Sequence, residues 1–337
     1  AARTRVSTRV SGRMNAGVSA RAGSTEGAER ERRPPTFAHR LEYLALRAFV
    51  GALAPLGVRR AAAASGAIAT LGYSLFGIRR GVVERQVAAA FPELTGAALQ
   101  RVARTSYENL GRVTIEATLL SRRGPAAVLE QFVESPGWAT VANAHAQGKG
   151  VVLVAGHLGN WELSGAYVAA KGIPCHPIAR GMSNPLSERF FRRTRERLGM
   201  HVMHDRDAVR RVPRILRDGG TVGFLSDQAT VGLASTIVPF FGRPAKTPRG
   251  AAVFALRGGA PVVLIQAIRQ PDGRYQFHAE ELPVTDSGDR ERDVDALIVR
   301  FSAALERLVR QYPGQYFWQH RRWKHQPADT PAHLREP

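Results

Sequence analysis

Apolar positions recur along this chain in two rhythms. From residue 95 to 120, Leu99, Val102, Tyr107, Leu110, Val113 and Ile115 repeat at helical spacing, which predicts a helix. Further on, short continuous apolar runs take over. Val151–Val154, Thr221–Leu225 and Pro261–Ile268 read as strands, and Tyr275–Leu282 alternates as a half-buried strand does. Asn160–Ala170, Pro185–Leu198, Asp207–Arg217 and Arg292–Arg310 read as intervening helices. Apolar strands alternating with helices predict an α/β fold with a mixed, mostly parallel sheet covered on both faces. No internal repeat is visible.

The first part of the chain does not fit that rhythm. Residues 1–35 are rich in Arg, Ser, Ala and Gly and nearly devoid of large apolar side chains, so a disordered basic leader is expected. Its composition resembles an organellar transit peptide, and an over-long gene start with Met14 as the initiator explains it equally well. No secretory signal pattern is visible. Beyond it, Leu41, Leu44, Leu46, Phe49, Val50 and Leu53 form a broad apolar face, interrupted by Arg47. Ala61 to Ile78 is uncharged, between Arg59-Arg60 and Arg79-Arg80. It approaches the length of a membrane span, yet is mostly Ala and Gly. An interfacial helical pair fits best; a single span and a packed soluble pair are the other readings. The expected organisation is a leader (1–35), a membrane-associating helical segment (36–80) and an α/β domain (81–330).

Charge adds a constraint on partners. Against 28 acidic residues stand 48 basic ones, for a formal net charge of +20 and a pI near 11.3. All but Lys149, Lys171, Lys246 and Lys324 are arginines. The balance favours nucleic acid, anionic lipid or an acidic protein. Abundant alanine and glycine attribute part of the bias to genome composition. Cys175 is the only cysteine, which excludes an intrachain disulfide and a cysteine zinc site. A buried structural thiol is expected there.

The candidate chemistry lies in Gly150-Val151-Val152-Leu153-Val154-Ala155-Gly156-His157-Leu158-Gly159-Asn160-Trp161-Glu162. An apolar strand ends in a small-residue turn that carries a histidine. Five residues on one helix turn the chain by about 500°, so His157 and Glu162 would not meet mid-helix. They meet if His157 is on the turn and Glu162 in the first turn of the next helix, where the dipole favours a carboxylate. Glu162 would then fix the imidazole tautomer and leave the other nitrogen as a base. On spacing alone, a satisfied structural histidine at the sheet edge explains the same residues. There is no His-Glu-x-x-His and no second histidine at ligand spacing, so no metal is expected. Lys149 in Gly-Lys-Gly lacks phosphate-loop spacing, and no Gly-x-Ser-x-Gly elbow occurs.

Gly156-His157-Leu158-Gly159-Asn160-Trp161-Glu162 resembles the His-x4-Glu/Asp motif of the bacterial lipid A late acyltransferases, to which mycobacterial phosphatidylinositol mannoside acyltransferases are related. Ala179-Arg180-Gly181-Met182-Ser183-Asn184-Pro185 resembles the family's Arg-Pro-x-x-Asn-Pro stretch, with Gly181 for the proline. Arg195 falls where the family carries a functional arginine. Phe224-Leu225-Ser226-Asp227-Gln228, Pro239-Phe240-Phe241-Gly242 and Thr247-Pro248-Arg249-Gly250 follow in order. Tyr316-Phe317-Trp318-Gln319-His320-Arg321-Arg322-Trp323-Lys324 resembles the terminal signature. The resemblance spans roughly residues 40–327.

It implies a glycerolipid acyltransferase-like fold and transfer of a fatty acyl chain from an acyl carrier protein thioester to a hydroxyl of a lipid A precursor, at the cytoplasmic face of an inner membrane. No cofactor is implied. His157 would be the base and Glu162 its orienting carboxylate. Backbone N–H groups near Gly159 and Asn160 are candidate oxyanion donors. Arg195, Asp227, Arg180 and Asn160 are candidate substrate-binding residues, with Asp227 fixing either Arg195 or substrate. The other arginines around Arg195 (Arg189, Arg192, Arg193 and Arg197) would meet the acidic carrier or lipid phosphates. The cations and aromatics of the tail suit a membrane interface, single-stranded nucleic acid, or simple packing of the tryptophans. Rival readings are another acceptor, such as a phosphatidylinositol mannoside or an ornithine- or glycerol-type lipid, and a nonenzymatic basic protein that binds nucleic acid or membrane. Glu162 in place of Asp leans towards lipid A.

Overall fold

The computed structural model describes residues 34–229 and 232–337. The expected leader, apart from its last two residues, lies outside them. Two helices come first, α1 (Phe37–Leu53) and α2 (Gly57–Ser74), joined by a single 3-10 turn at Ala54–Leu56. Pro55 at that turn and Gly57, with φ +73°, break the helical path. α3 (Arg80–Ala90) and the long α4 (Gly96–Leu120) follow, then the short α5 (Ala126–Leu129) and α6 (Gly137–Ala146).

The remainder is the expected α/β alternation. It runs β1 (Val151–Ala155), α7 (Trp161–Ala170), β2 (Cys175–Ala179), α8 (Pro185–Arg197), β3 (Met203–His204), α9 (Ala208–Arg217) and β4 (Thr221–Leu225). Next come β5 (Ser235–Phe240), β6 (Arg243–Pro248), α10 (Gly250–Gly258), β7 (Val262–Arg269), β8 (Tyr275–Leu282) and α11 (Arg290–Gln311). Six strands form one sheet in the order β3-β2-β4-β1-β7-β8. Only the β7–β8 pairing is antiparallel within it. β1 lies between β4 and β7 and is buried throughout, as its unbroken Val-Val-Leu-Val-Ala run requires. Val152 and Val154 face one apolar cluster with residues of α9, α10 and α11; Val151, Leu153 and Ala155 face a second with α7.

Two features escape the apolar pattern. β2 contains Pro177 and follows Pro174, which conceal a strand in the sequence. β5 and β6 contain Pro239, Pro244 and Pro248 and form a separate hairpin across Phe241-Gly242, both at positive φ (51° and 70°). A detached two-stranded ladder tolerates missing N–H donors that a central strand would not.

The tail takes the packing alternative. Tyr316, Trp318, Trp323 and Arg322 are buried rather than displayed at a surface. Trp318 Nε1 donates to Pro313 O at 2.8 Å, and Trp323 Nε1 to Phe240 O at 3.2 Å. The membrane-interface reading of this segment therefore gives way to core packing. Cys175 is buried as well, and burial pushes its thiol up to about 12, against a smaller opposing effect of Thr221.

Candidate active site

Because β1, β2 and β4 run parallel, their C-terminal ends open on one rim of the sheet. That rim is where an open α/β sheet places its chemistry. Ala155 is level with Leu225 in the β1–β4 register. Two residues further along each strand, His157 and Asp227 face each other. Asp227 accepts the His157 backbone N–H at 2.9 Å, and its other oxygen lies 2.7 Å from His157 Nδ1. Burial opposes the Asp227 charge, but the His157 charge, these two contacts and nearby Arg322 outweigh it and hold the carboxyl down at about 2. Facing an ionised carboxylate, the neutral form of the imidazole carries its proton on Nδ1 and keeps the Nε2 lone pair. The ring, only 17% exposed, lies between Trp161 and Phe317, at centroid distances of 5.1 and 5.9 Å.

Glu162 occupies the first turn of α7, as expected, but its hydrogen-bonding partner is Arg195 near the end of α8. Arg195 Nε and Nη2 donate to its two oxygens at 2.8 and 2.6 Å. Burial alone would raise the Glu162 carboxyl; Arg195 first, and His157 after it, bring it below its usual range. His157 Nδ1 therefore faces Asp227 rather than donating to Glu162, the expected acceptor. The carboxylates have exchanged partners relative to the sequence reading: Asp227 orients His157, and Glu162 neutralises Arg195. The cause is topological, since β1–β4 adjacency is a crossover invisible along the chain.

Asn160 opens the helix after the turn, as expected. It is fully buried at the N-cap of α7, where its Oδ1 accepts the Leu163 N–H at 3.1 Å. Its Nδ2 donates to Glu116 at 3.0 Å and to the Tyr275 hydroxyl at 3.2 Å. Such a side chain cannot touch substrate; it anchors the turn. The backbone amides expected as oxyanion donors are also engaged, Gly159 N–H with Gln315 O (3.0 Å) and Asn160 N–H with Ala267 O (2.8 Å). The first-turn amides of Trp161 and Glu162 are the donors the helix leaves over. Arg180 is exposed just beyond β2, on the same rim, one strand past Asp227.

One group not singled out by the sequence, and the tail that was, complete the surroundings. Glu116 on α4 forms a buried pair with Arg269 (2.5 and 2.8 Å) and thereby ties Asn160 to the end of β7. The tail closes over the dyad: Phe317 N–H donates to His157 O at 2.9 Å, and Tyr316 bridges Leu158. Among the described residues no cluster of three or more His, Cys, Asp or Glu side chains could hold a metal.

A histidine held by a buried carboxylate at the carboxyl rim of an α/β sheet, beside an arginine-paired glutamate, is an arrangement chemically able to take a proton from an incoming hydroxyl. Residues 33–325 match the model of a family described as bacterial lipid A biosynthesis acyltransferase, and the chain belongs to that family. It is an acyltransferase of lipid A biosynthesis. It is 27% identical over 256 residues to the lipid A biosynthesis lauroyltransferase of Escherichia coli (strain K12), covering 75% of this chain and 82% of that protein. To the palmitoleoyltransferase of the same organism it is 24% identical over 256 residues, covering 74% and 80%. A phosphatidylinositol mannoside acyltransferase of Mycolicibacterium smegmatis (strain ATCC 700084 / mc(2)155) is 26% identical over 180 residues, covering 52% and 57%.

Proposed function

We propose that this protein transfers a fatty acyl chain from an acyl carrier protein thioester to a hydroxyl of a lipid A precursor, with His157 as general base. The observation that carries the reading is the double contact between Asp227 and His157, which leaves Nε2 free to take a proton. The acceptor oxygen attacks the thioester carbon as its proton passes to Nε2. The C–S bond then breaks, and the proton is returned to the departing thiolate. A hydroxyl is a weak nucleophile until a base takes its proton during attack, so no enzyme nucleophile is needed. The free amides at the start of α7 would receive the oxyanion. Glu162 and Arg195 would set the field and shape around the reacting groups, Arg180 would meet substrate at the rim, and Asn160 would hold the turn.

We also place the protein on the cytoplasmic face of the inner membrane, held by α1 and the outer side of α2. Phe37–Ser74 is long and apolar enough to cross a membrane by length and composition. Two contacts favour lying on the surface over crossing it. α2 packs along α4, with Ser65 Oγ donating to Gly111 O at 2.7 Å. α1 is tied to α8 through Asn184 Nδ2, which donates to His39 O and Glu42, both at 2.9 Å. Phe37, Leu41 and Leu44 remain exposed on α1 for a lipid interface.

The test is transfer in vitro from an acyl-loaded carrier protein to a purified lipid A precursor, read by mass spectrometry. The expected product is heavier by one acyl chain, and His157→Ala should make none while keeping the wild-type circular dichroism. No product from the wild-type chain would overturn the donor and acceptor assignment; product from a folded His157→Ala would remove the base. A phosphatidylinositol mannoside offered in parallel tests the rival acceptor.

A further inference from the structure

The turn between α2 and α3 combines three unusual features. Leu75, Phe76 and Ile78 are exposed by 71, 76 and 57% with no apolar cover. Arg79 follows in the left-handed region, at φ 52° and ψ 16°, where a side chain is unfavourable and glycine would fit without strain. Arg80 is paired with Glu84 at 2.9 Å, whereas no carboxylate pairs with Arg79 among the described residues. The turn is nevertheless well held: Tyr107 donates its hydroxyl to Ile78 O, and Ile78 N–H donates to Gly72 O at 3.1 Å. An exposed arginine that no carboxylate among the described residues pairs with therefore stands, on a well-held backbone turn, beside an uncovered apolar tip.

The turn is linked to the surroundings of His157 through α3 and the tail. Further along α3, Gln86 Nε2 donates to Trp318 O at 2.9 Å and His320 O at 2.6 Å, and its Oε1 accepts Arg322 N–H at 2.7 Å. The same tail segment donates Phe317 N–H to His157 O. Burial is the main cause of the depressed pKa of His320, and the Arg79 charge is near enough to add to it.

We propose that this turn is a portal for a phosphate-bearing lipid: Leu75, Phe76 and Ile78 enter the bilayer interface, and the Arg79 guanidinium holds the lipid's phosphate at the edge of the His157 site. A guanidinium fork matches phosphate oxygens, and a compact apolar tip next to it places that phosphate at headgroup depth. The apolar tip is what selects a lipid over a free anion. The inference rests on the lipid acceptor proposed above and adds the group by which it is recognised.

The test is co-sedimentation of the full chain with phosphatidylcholine vesicles, with and without phosphatidic acid. Arg79→Gly suits the backbone there and should fold. It should lose about fivefold in affinity for the phosphatidic acid vesicles. Arg214→Ala, which removes an exposed charge on α9, should lose much less, and Phe76→Ser should weaken binding to both kinds of vesicle. Equal losses for Arg79→Gly and Arg214→Ala would overturn the proposal, because the effect would then be net charge alone. Displacement of the wild-type chain from phosphatidic acid vesicles by inorganic phosphate, with Phe76→Ser binding normally, would overturn the lipid as ligand. Transfer assays on the wild-type chain judge the catalytic reading separately, so either can fail alone.

Discussion

Asp227 holds His157 at two points, through the backbone N–H at 2.9 Å and through Nδ1 at 2.7 Å. A carboxylate bound in this way fixes the ring's rotation and its tautomer together. Asp227→Asn should therefore preserve the fold and lower kcat by about 10²–10⁴-fold with a smaller change in KM. Steady-state kinetics on both substrates check this; a kcat close to wild type would assign orientation of His157 to another group.

Glu162 and Arg195 make a mostly buried bidentate pair, and removing one partner strands the other's charge. Glu162→Gln and Arg195→Met should each destabilise the protein, by about 3–5 kcal/mol at the upper end. The double variant should cost less than the two single ones added together. Urea unfolding of the four proteins measures the coupling, and strict additivity would deny that the pair acts as a unit.

Gly159 has φ +62°, and a Cβ there would lie 2.1 Å from the carbonyl oxygen of Ala267. Because backbone is hard to displace, Gly159→Ala should force the turn away from β7 and carry His157 with it. We expect a loss of at least about 2 kcal/mol together with most of the turnover. Thermal melts and the transfer assay on this variant decide the matter; a melting temperature and rate equal to wild type would show that the turn relaxes freely.

His320 titrates well below its ordinary 6.5, at about 4, mainly because it is buried, and its charged neighbours shift it less. The unfolded chain then binds the proton more readily than the folded one between those values. Stability from this group is complete above pH 6.5 and is lost as pH falls towards 4. His320→Gln should flatten that part of the melting-temperature profile. An unchanged slope between pH 6.5 and 4 would place the sensitivity elsewhere.

The exposed Leu41 and Leu44 on α1 are the side chains offered to lipid. Leu41→Ser with Leu44→Ser should reduce flotation with vesicles by at least tenfold, on the order of 1.4 kcal/mol. Undiminished flotation would move the anchor away from α1.

Thr221–Leu225 and Tyr275–Leu282 were legible to the residue, because unbroken apolar runs and strict alternation have few other solutions. His157 was legible as the strand-end base candidate for the same reason. Its partner was not. Spacing along the chain pointed to Glu162, whereas Asp227 reaches His157 only because β4 lies beside β1, a choice the sequence pattern does not express. Proline concealed β2 and the β5–β6 hairpin, and the mixture of cations and aromatics left core packing of Trp318 and Trp323 as one reading among several. Asn160 looked like a site residue because it neighbours one; Glu116 and Tyr275, distant in sequence, make it a structural anchor.

The closing contact from Phe317 to His157 also sets an order of events. During synthesis β1 leaves the ribosome well before the segment that covers its end, and Asp227 emerges between them. The base can thus meet its carboxylate while its outer wall is still missing. A chain interrupted after β8 would contain both His157 and Asp227 but not the segment that covers His157. The wall over His157 is thus the last part of its surroundings to be made.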